Sequence, residues 1–269
     1  MSLLELKGAS FGYNQQDIFT DIYFKIDKGE IFCIIGPNGC GKTTLLDSIL
    51  GILRLKRGDI LINGGSMQKM RPHEIARQIA YIPQAHNKTF PYTVLDVVLM
   101  GRAAYTGIFS SPSEDDVVIA EEALALVGLT RLKSRPYTQL SGGEGQLVMI
   151  ARALAQKTPL LIMDEPTAHL DFKHELTVLE TVVQLINDTG LSIIMATHFP
   201  NHAFYFENNN IKTSVALMDQ KTFSQVGSPG DVISEKNLMT LYEINAKVVA
   251  CPIGNGGQLK QIIPISTIS

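Results

Sequence analysis

A chain of 269 residues with 45% hydrophobic and 18% charged residues can bury a substantial core and has the composition of an ordinary folded protein. Its formal net charge of −3, with no dense Lys/Arg cluster, supplies no field for nucleic acid, which is excluded as a first partner. Cys33, Cys40 and Cys251 form no C-x-x-C pair, so neither a zinc site nor a disulfide framework is expected, and a reducing compartment fits best.

The first residues lack the charged start and long apolar core of a signal peptide. The longest apolar runs are strand length, far below the roughly 18 residues that cross a bilayer. Any membrane role is therefore expected to pass through a partner. Residues 3 to 26 alternate short apolar stretches with Gly12, Asn14 and Asp17, which predicts antiparallel strands and turns; Tyr13 lies here. The apolar run Ile31-Phe32-Cys33-Ile34-Ile35 then delivers Gly36-Pro37-Asn38-Gly39-Cys40-Gly41-Lys42-Thr43-Thr44, followed by a helix-like segment. Buried strand, G-x-x-x-x-G-K-T and helix N-terminus in that order form a phosphate cradle, in which backbone N–H groups and the helix dipole converge on an anion. Lys42 is placed to reach the β- and γ-phosphates, and Thr43 to offer its hydroxyl to a magnesium ion. A second small strand at Ile60-Leu61-Ile62 extends a β-subdomain expected to cover the base of a nucleotide.

Ile79-Ala80-Tyr81-Ile82 predicts a buried strand ended by Pro83, with Gln84 in the following loop. Residues from about 88 to 155 read as an inserted, mainly helical subdomain. One helix in it begins at Ser113 as N-cap with Glu114, Asp115 and Asp116 in its first turn, and places Val117, Ala120, Leu124 and Val127 on one face. Leu140-Ser141-Gly142-Gly143-Glu144-Gly145-Gln146 opens another helix, a weak anion site when taken alone. Leu160-Leu161-Ile162-Met163 is a strand delivering Asp164 and Glu165 at its C-terminal end, where open α/β sheets bind ligands. Asp164 suits a magnesium ion and Glu165 an attacking water, as general base or orienter.

Asp171 follows in a loop, then a helix with Leu176, Leu179, Val183 and Ile186 on one face, ending near Gly190. The strand from Ser192 to Ala196 delivers Thr197 and His198, whose imidazole can meet a γ-phosphate. His198 and His202 are four apart, but Pro200 between them argues against a helical metal pair. His73, His86, His169 and His174 show no partner in the sequence and read as surface or packing residues. Beyond residue 211 come two strand-like stretches, a helix-like stretch from Glu235 to Tyr242 and an apolar alternation, with no recognisable catalytic set.

Together these residues resemble the ATPase subunit of an ABC transporter over roughly residues 3 to 245. The resemblance implies an α/β fold: a P-loop NTPase (RecA-like) core carrying an N-terminal antiparallel β-subdomain and an inserted α-helical subdomain. Residues 1–245 would form the ATPase domain and 246–269 a C-terminal extension of strands packed on it. It implies that Tyr13 stacks on adenine and that Gly36 to Thr44 is the Walker A loop binding ATP. Gln84 would sense Mg2+ and Ser141, Gly142 and Gly143 would form the signature. Asp164 and Glu165 match the Walker B aspartate and the catalytic glutamate, Asp171 the D-loop aspartate and His198 the switch histidine. It further implies a head-to-tail dimer in which the signature acts on the other copy's ATP, membrane permease subunits, indirectly a substrate-binding protein, and a cytoplasmic position on the inner face of the membrane.

Two positions depart from the family pattern: Gly145, where relatives usually carry a long polar or basic residue, and His169, where a small residue is commoner. Glycine weakens a helix interior by roughly 1 kcal/mol, less in a first turn. Phe90 to Arg102, Asn237-Leu238 and Leu241-Tyr242 resemble the importer branch for ferric siderophores, haem, cobalamin and related metal complexes. Molybdate or tungstate importers share this architecture. A soluble ABC ATPase acting on ribosomes or DNA would need paired cassettes, a coiled-coil insert or a basic face. A P-loop kinase or GTPase would leave LSGGEGQ and His198 without a role.

Overall fold

Leu4–Tyr13 (β1), buried without interruption from Ala9 to Gly12, and Gln16–Ile26 (β2), whose second half alternates buried and exposed side chains, form a hairpin packed against the core. The computed structural model describes residues 2–84, 90–106, 111–253 and 257–268. β1 also pairs antiparallel with Arg57–Ile62 (β4), Leu4 opposite Ile62, and β4 with Gly65–Ser66 (β5), giving a sheet in the order β2-β1-β4-β5.

The second sheet has the order β10-β9-β3-β8-β7-β6. Its members are Ile31–Ile35 (β3), Ile79–Ile82 (β6), Leu160–Asp164 (β7), Ser192–Thr197 (β8), Thr213–Asp219 (β9) and Thr222–Gly227 (β10). All neighbours are parallel except the edge pair β9 and β10. Every residue of β3, β7 and β8 is buried, as continuous apolar strands covered on both faces must be. Successive β3 side chains serve different cores. Ile31, Cys33 and Ile35 face one that includes the helical insert, and Phe32 and Ile34 face one shared with β1, β2, β4 and Lys42–Ile49 (α1).

Pro72–Ala76 (α2) precedes β6. Between β6 and β7, Val94–Leu99 (α3), Glu114–Leu126 (α4) and Gly142–Ala155 (α5) pack on one another. The expected start of this insert at 88, together with His86, lies outside the described residues. Ser113 caps α4 as anticipated: its hydroxyl accepts from Asp116 N–H while the Asp116 carboxylate accepts from Ser113 N–H. Asp116 also receives Arg102 Nε at 2.7 Å, and this hydrogen bond, then those from Ser113, holds its carboxyl at about 2. α5 is buried on nearly all sides from Gly145 to Ala151 rather than along one stripe, because α3 and α4 cover one flank and Phe172–Thr189 (α6) meets another.

α6 corrects the expected apolar face. Its buried stripe is Val178, Leu179, Val182, Leu185 and Ile186, and Leu176 is 38% exposed. Two overlapping stripes satisfy helical spacing in this sequence, and neighbouring helices select between them. Gly190 ends α6 in the left-handed conformation at φ 67°. After Asn201–Asn208 (α7), Pro229–Val232 (α8) and Glu235–Tyr242 (α9), the strands Ile244–Ile253 (β11) and Gly257–Thr267 (β12) form a separate two-stranded sheet among the described residues. Ala246 and Ile262 are buried from this hairpin, and Ile262 exchanges two hydrogen bonds with the Asn201 side chain.

Candidate active site

β8 lies between β3 and β7, with Ile35 opposite Thr197 and Asp164 opposite Ala196. The strands end at one level, so the loops carrying Gly36 to Gly41, His198 and Glu165 emerge side by side, though they are far apart in the chain. Gly41 caps α1 at φ 107°, a region that a side chain rarely enters, and among the described residues no side chain caps the N-terminus of α1. The N–H groups there are the anion-binding element read from the sequence.

Lys42 is buried, its ammonium donating to the carbonyls of Gly36 at 2.8 Å and Pro37 at 3.1 Å and lying 3.3 Å from Glu165 Oε1. The other Glu165 oxygen hydrogen-bonds His198 Nδ1. Thr43 Oγ1 donates to Asp164 Oδ2 at 2.7 Å. Asp164 is 1% exposed and its Oδ1 has no hydrogen-bond partner among the described residues. Burial is the main cause holding its carboxyl above the usual range, opposed by the Thr43 hydroxyl and reinforced by the Glu165 charge. Two buried carboxylates beside one ammonium, one carrying an orphan oxygen, form an oxygen donor set that fits a hard divalent cation such as Mg2+. Glu165 adopts φ 48°, a strained choice for a non-glycine residue that fixes where its carboxylate points.

The signature segment lies elsewhere. Ser141 caps α5, accepting from Glu144 N–H, and Gly142 sits near Leu170. A Cβ on Gly143 would fall into the His174 ring. His174 Nδ1 in turn lies 2.8 Å from both carboxylate oxygens of Asp171, the N-cap of α6. These contacts, first the backbone N–H and then the side chain of His174, hold the Asp171 carboxyl below its ordinary value. The reading of His174 as partnerless is corrected: it joins Asp171 at the start of α6 to Gly143 of α5 in the same chain. Gly143→Ala is expected to cost about 1–3 kcal/mol by overpacking, measured as a lower urea midpoint. In a His174→Ala background the same change should cost much less.

Tyr13 ends β1, 54% exposed, edge-on to Phe11 with centroids 5.1 Å apart. Gln84 lies exposed two residues beyond β6, the strand next to β7. His169 sits at φ 66°, and histidine is among the residues that enter this left-handed region comparatively often, which accounts for that departure. The His198 and His202 rings are committed separately: His202 meets Thr197 Oγ1 at 3.0 Å and Glu175 Oε1 at 2.8 Å. Sequence reasoning assigned no role at this site to Glu175, to His202, whose spacing from His198 was weighed only as a metal pair, or to Tyr242, whose hydroxyl donates to the His198 carbonyl at 3.1 Å. None of these belongs to a spaced motif, and each is brought in by packing.

The loop of Gly36 to Gly41, the Asp164 and Glu165 carboxylates and the His198 imidazole, on adjacent parallel strand ends with a helical insert, are arranged as in an ATP-binding cassette. The sequence pattern of the ABC transporter family matches residues 19–168, over half of the chain, and the chain belongs to that family. It is an ATP-binding subunit and an ATPase. It is 34% identical to the iron(3+)-hydroxamate import ATP-binding protein of Bacillus subtilis, covering 95% of this chain and 93% of that one. It is also 34% identical to a molybdate import ATP-binding protein of Haemophilus influenzae, over 90% and 88%. A solved ABC transporter described as of metal-chelate type, in an inward-facing conformation, superimposes with a TM-score of 0.86 at 30% identity, covering 98% of both chains. Among the described residues no helix is long and apolar enough to cross a membrane.

Proposed function

We propose that this chain powers an ABC importer for a metal complex such as a ferric siderophore, haem or cobalamin. It would sit on the cytoplasmic face of the membrane, held there by permease subunits and served indirectly by a substrate-binding protein. The observation that carries the ATPase mechanism is the contact chain Lys42–Glu165–His198 across three adjacent strand ends. In this reading Tyr13 stacks on the base, and the backbone of Gly36 to Gly41, with Lys42 and Thr44, holds the phosphates. Thr43, Asp164 and Gln84 would hold Mg2+, which when bound neutralises charge on the phosphate oxygens.

Glu165 orients and deprotonates the attacking water, and His198 steadies the γ-phosphate while fixing the Glu165 carboxylate. Ser141, Gly142, Gly143 and Asp171 belong to the facing copy's site in a head-to-tail dimer. Within their own chain Gly142 sits near Leu170 and Gly143 against His174. ATP favours the closed dimer, and loss of the γ-phosphate releases it. Residues 1–245 form the ATPase domain and 246–269 an extension packed on it.

The iron-hydroxamate relative and the metal-chelate transporter favour the metal-complex substrate. The molybdate relative supports the second reading, an oxyanion importer. The discriminating experiment identifies the permease and binding protein that co-purify with this chain, then titrates the binding protein with ferric chelates, haem, cobalamin and molybdate. Saturable binding of a chelate or tetrapyrrole is the expected result; binding of molybdate alone would replace it with the second reading.

A further inference from the structure

We propose that His202 is a positioning residue for hydrolysis, holding the turn that carries His198 to the first turn of α6. This rests on His198 and Glu165 forming the hydrolytic centre. β8 ends at Thr197, and only residues 198 to 200 separate it from α7. Such a short exposed turn does not by itself fix a ring against a carboxylate. Thr197 Oγ1 closes the turn from one side by accepting from Phe199 N–H at 3.0 Å, and binds His202 Nδ1 from the other at 3.0 Å. His202 Nε2 then reaches Glu175 Oε1 at 2.8 Å.

The hydrogen-bond inventory closes with one tautomer. The Thr197 hydroxyl donates to Nδ1, and the Nε2 hydrogen goes to the Glu175 carboxylate. His202 is 2% exposed, so a broken link would leave a buried nitrogen unpaired. Glu175 stands one turn after Asp171, whose carboxylate caps α6, and the His202 hydrogen bond is the first cause holding the Glu175 carboxyl low. Tyr242 steadies the same turn through the His198 carbonyl. A displacement of the D-loop end of α6 is thereby passed to the His198 ring through fixed hydrogen bonds rather than through flexible chain.

The alternative is a histidine that only fills space, and the two differ in kinetics. A misplacement of about 1 Å at a catalytic group costs on the order of 100-fold in rate. With the full-length chain and MgATP, His202→Phe, which keeps the volume and loses both hydrogen bonds, is expected to lower kcat about 10- to 100-fold. KM for ATP should stay within about twofold. Glu175→Ala should do the same, and Glu175→Gln, which keeps the acceptor for Nε2–H, should restore kcat to within about threefold of the parent. Wild-type kcat in His202→Phe, a parallel rise in KM, or a Glu175→Gln defect as deep as Glu175→Ala would overturn the proposal. His198→Ala is measured alongside: if it leaves kcat unchanged the hydrolytic reading itself fails, whereas loss in His198→Ala with none in His202→Phe rejects only the positioning role.

Discussion

Glu165→Gln is expected to slow ATP hydrolysis by about 10²–10⁴-fold, the usual contribution of a positioned general base, while ATP still binds. The side chain is 6% exposed and held at both oxygens, by Lys42 and by His198, on a backbone at φ 48°. Glutamine keeps the shape and one acceptor, so the turn and the His198 contact survive. What disappears is the charge and the ability to take a proton. Removing a carboxylate from a site that receives polyphosphate also lessens repulsion, so affinity should not fall. A dimer closed by ATP would therefore persist, seen as a doubled mass by light scattering with ATP and Mg2+ and its absence with ADP. Unchanged turnover would remove Glu165 from the chemistry.

Lys42→Ala should act one step earlier, at binding. The ammonium is buried and donates to the Gly36 and Pro37 carbonyls, the same loop whose N–H groups face the phosphates. An incoming phosphate competes for those donors, and deleting one partner of a buried charged contact costs about 2–5 kcal/mol. That is a rise of about 30-fold or more in the Kd for ATP, measurable with a fluorescent nucleotide. The substitution also strips Glu165 of its ion pair, so a drop in Tm is expected. Lys42→Ala/Glu165→Gln should recover part of the Tm without recovering ATP affinity. Full affinity in Lys42→Ala would show that the backbone alone holds the phosphates.

The motifs were legible because each joins a local spacing to a chemical need. G-x-x-x-x-G-K-T can be read without knowing any neighbour, since strand, loop and helix follow one another directly. Ser113 as a cap and Gly190 as a stop were legible for the same reason: each acts within one turn of its own helix. The α6 face was not, because Leu176 and Val178 both continue an apolar stripe and only α5 and α7 decide between them. For His174 the Asp171 contact was within local reach, three residues away in the first turn of α6, but Gly143 meets His174, and Glu175 meets His202, only after α5, α6 and α7 have packed.

By itself, then, the sequence carried the glycine-rich loop of Gly36 to Thr44, the strand that ends in Asp164 and Glu165, the positions of Ser141 to Gly143 and His198, and much of the element order, all properties of contiguous residues. The tertiary structure decided which of them touch. By placing β8 between β3 and β7, it sets Lys42, Glu165 and His198 in one chain of contacts and puts Asp164 against Thr43, across separations of 121 and 33 residues. It also set Gly143 against His174, which holds Asp171. The reason is that strand order in a parallel sheet is set by how crossover helices bury their apolar faces, and no single segment carries that information.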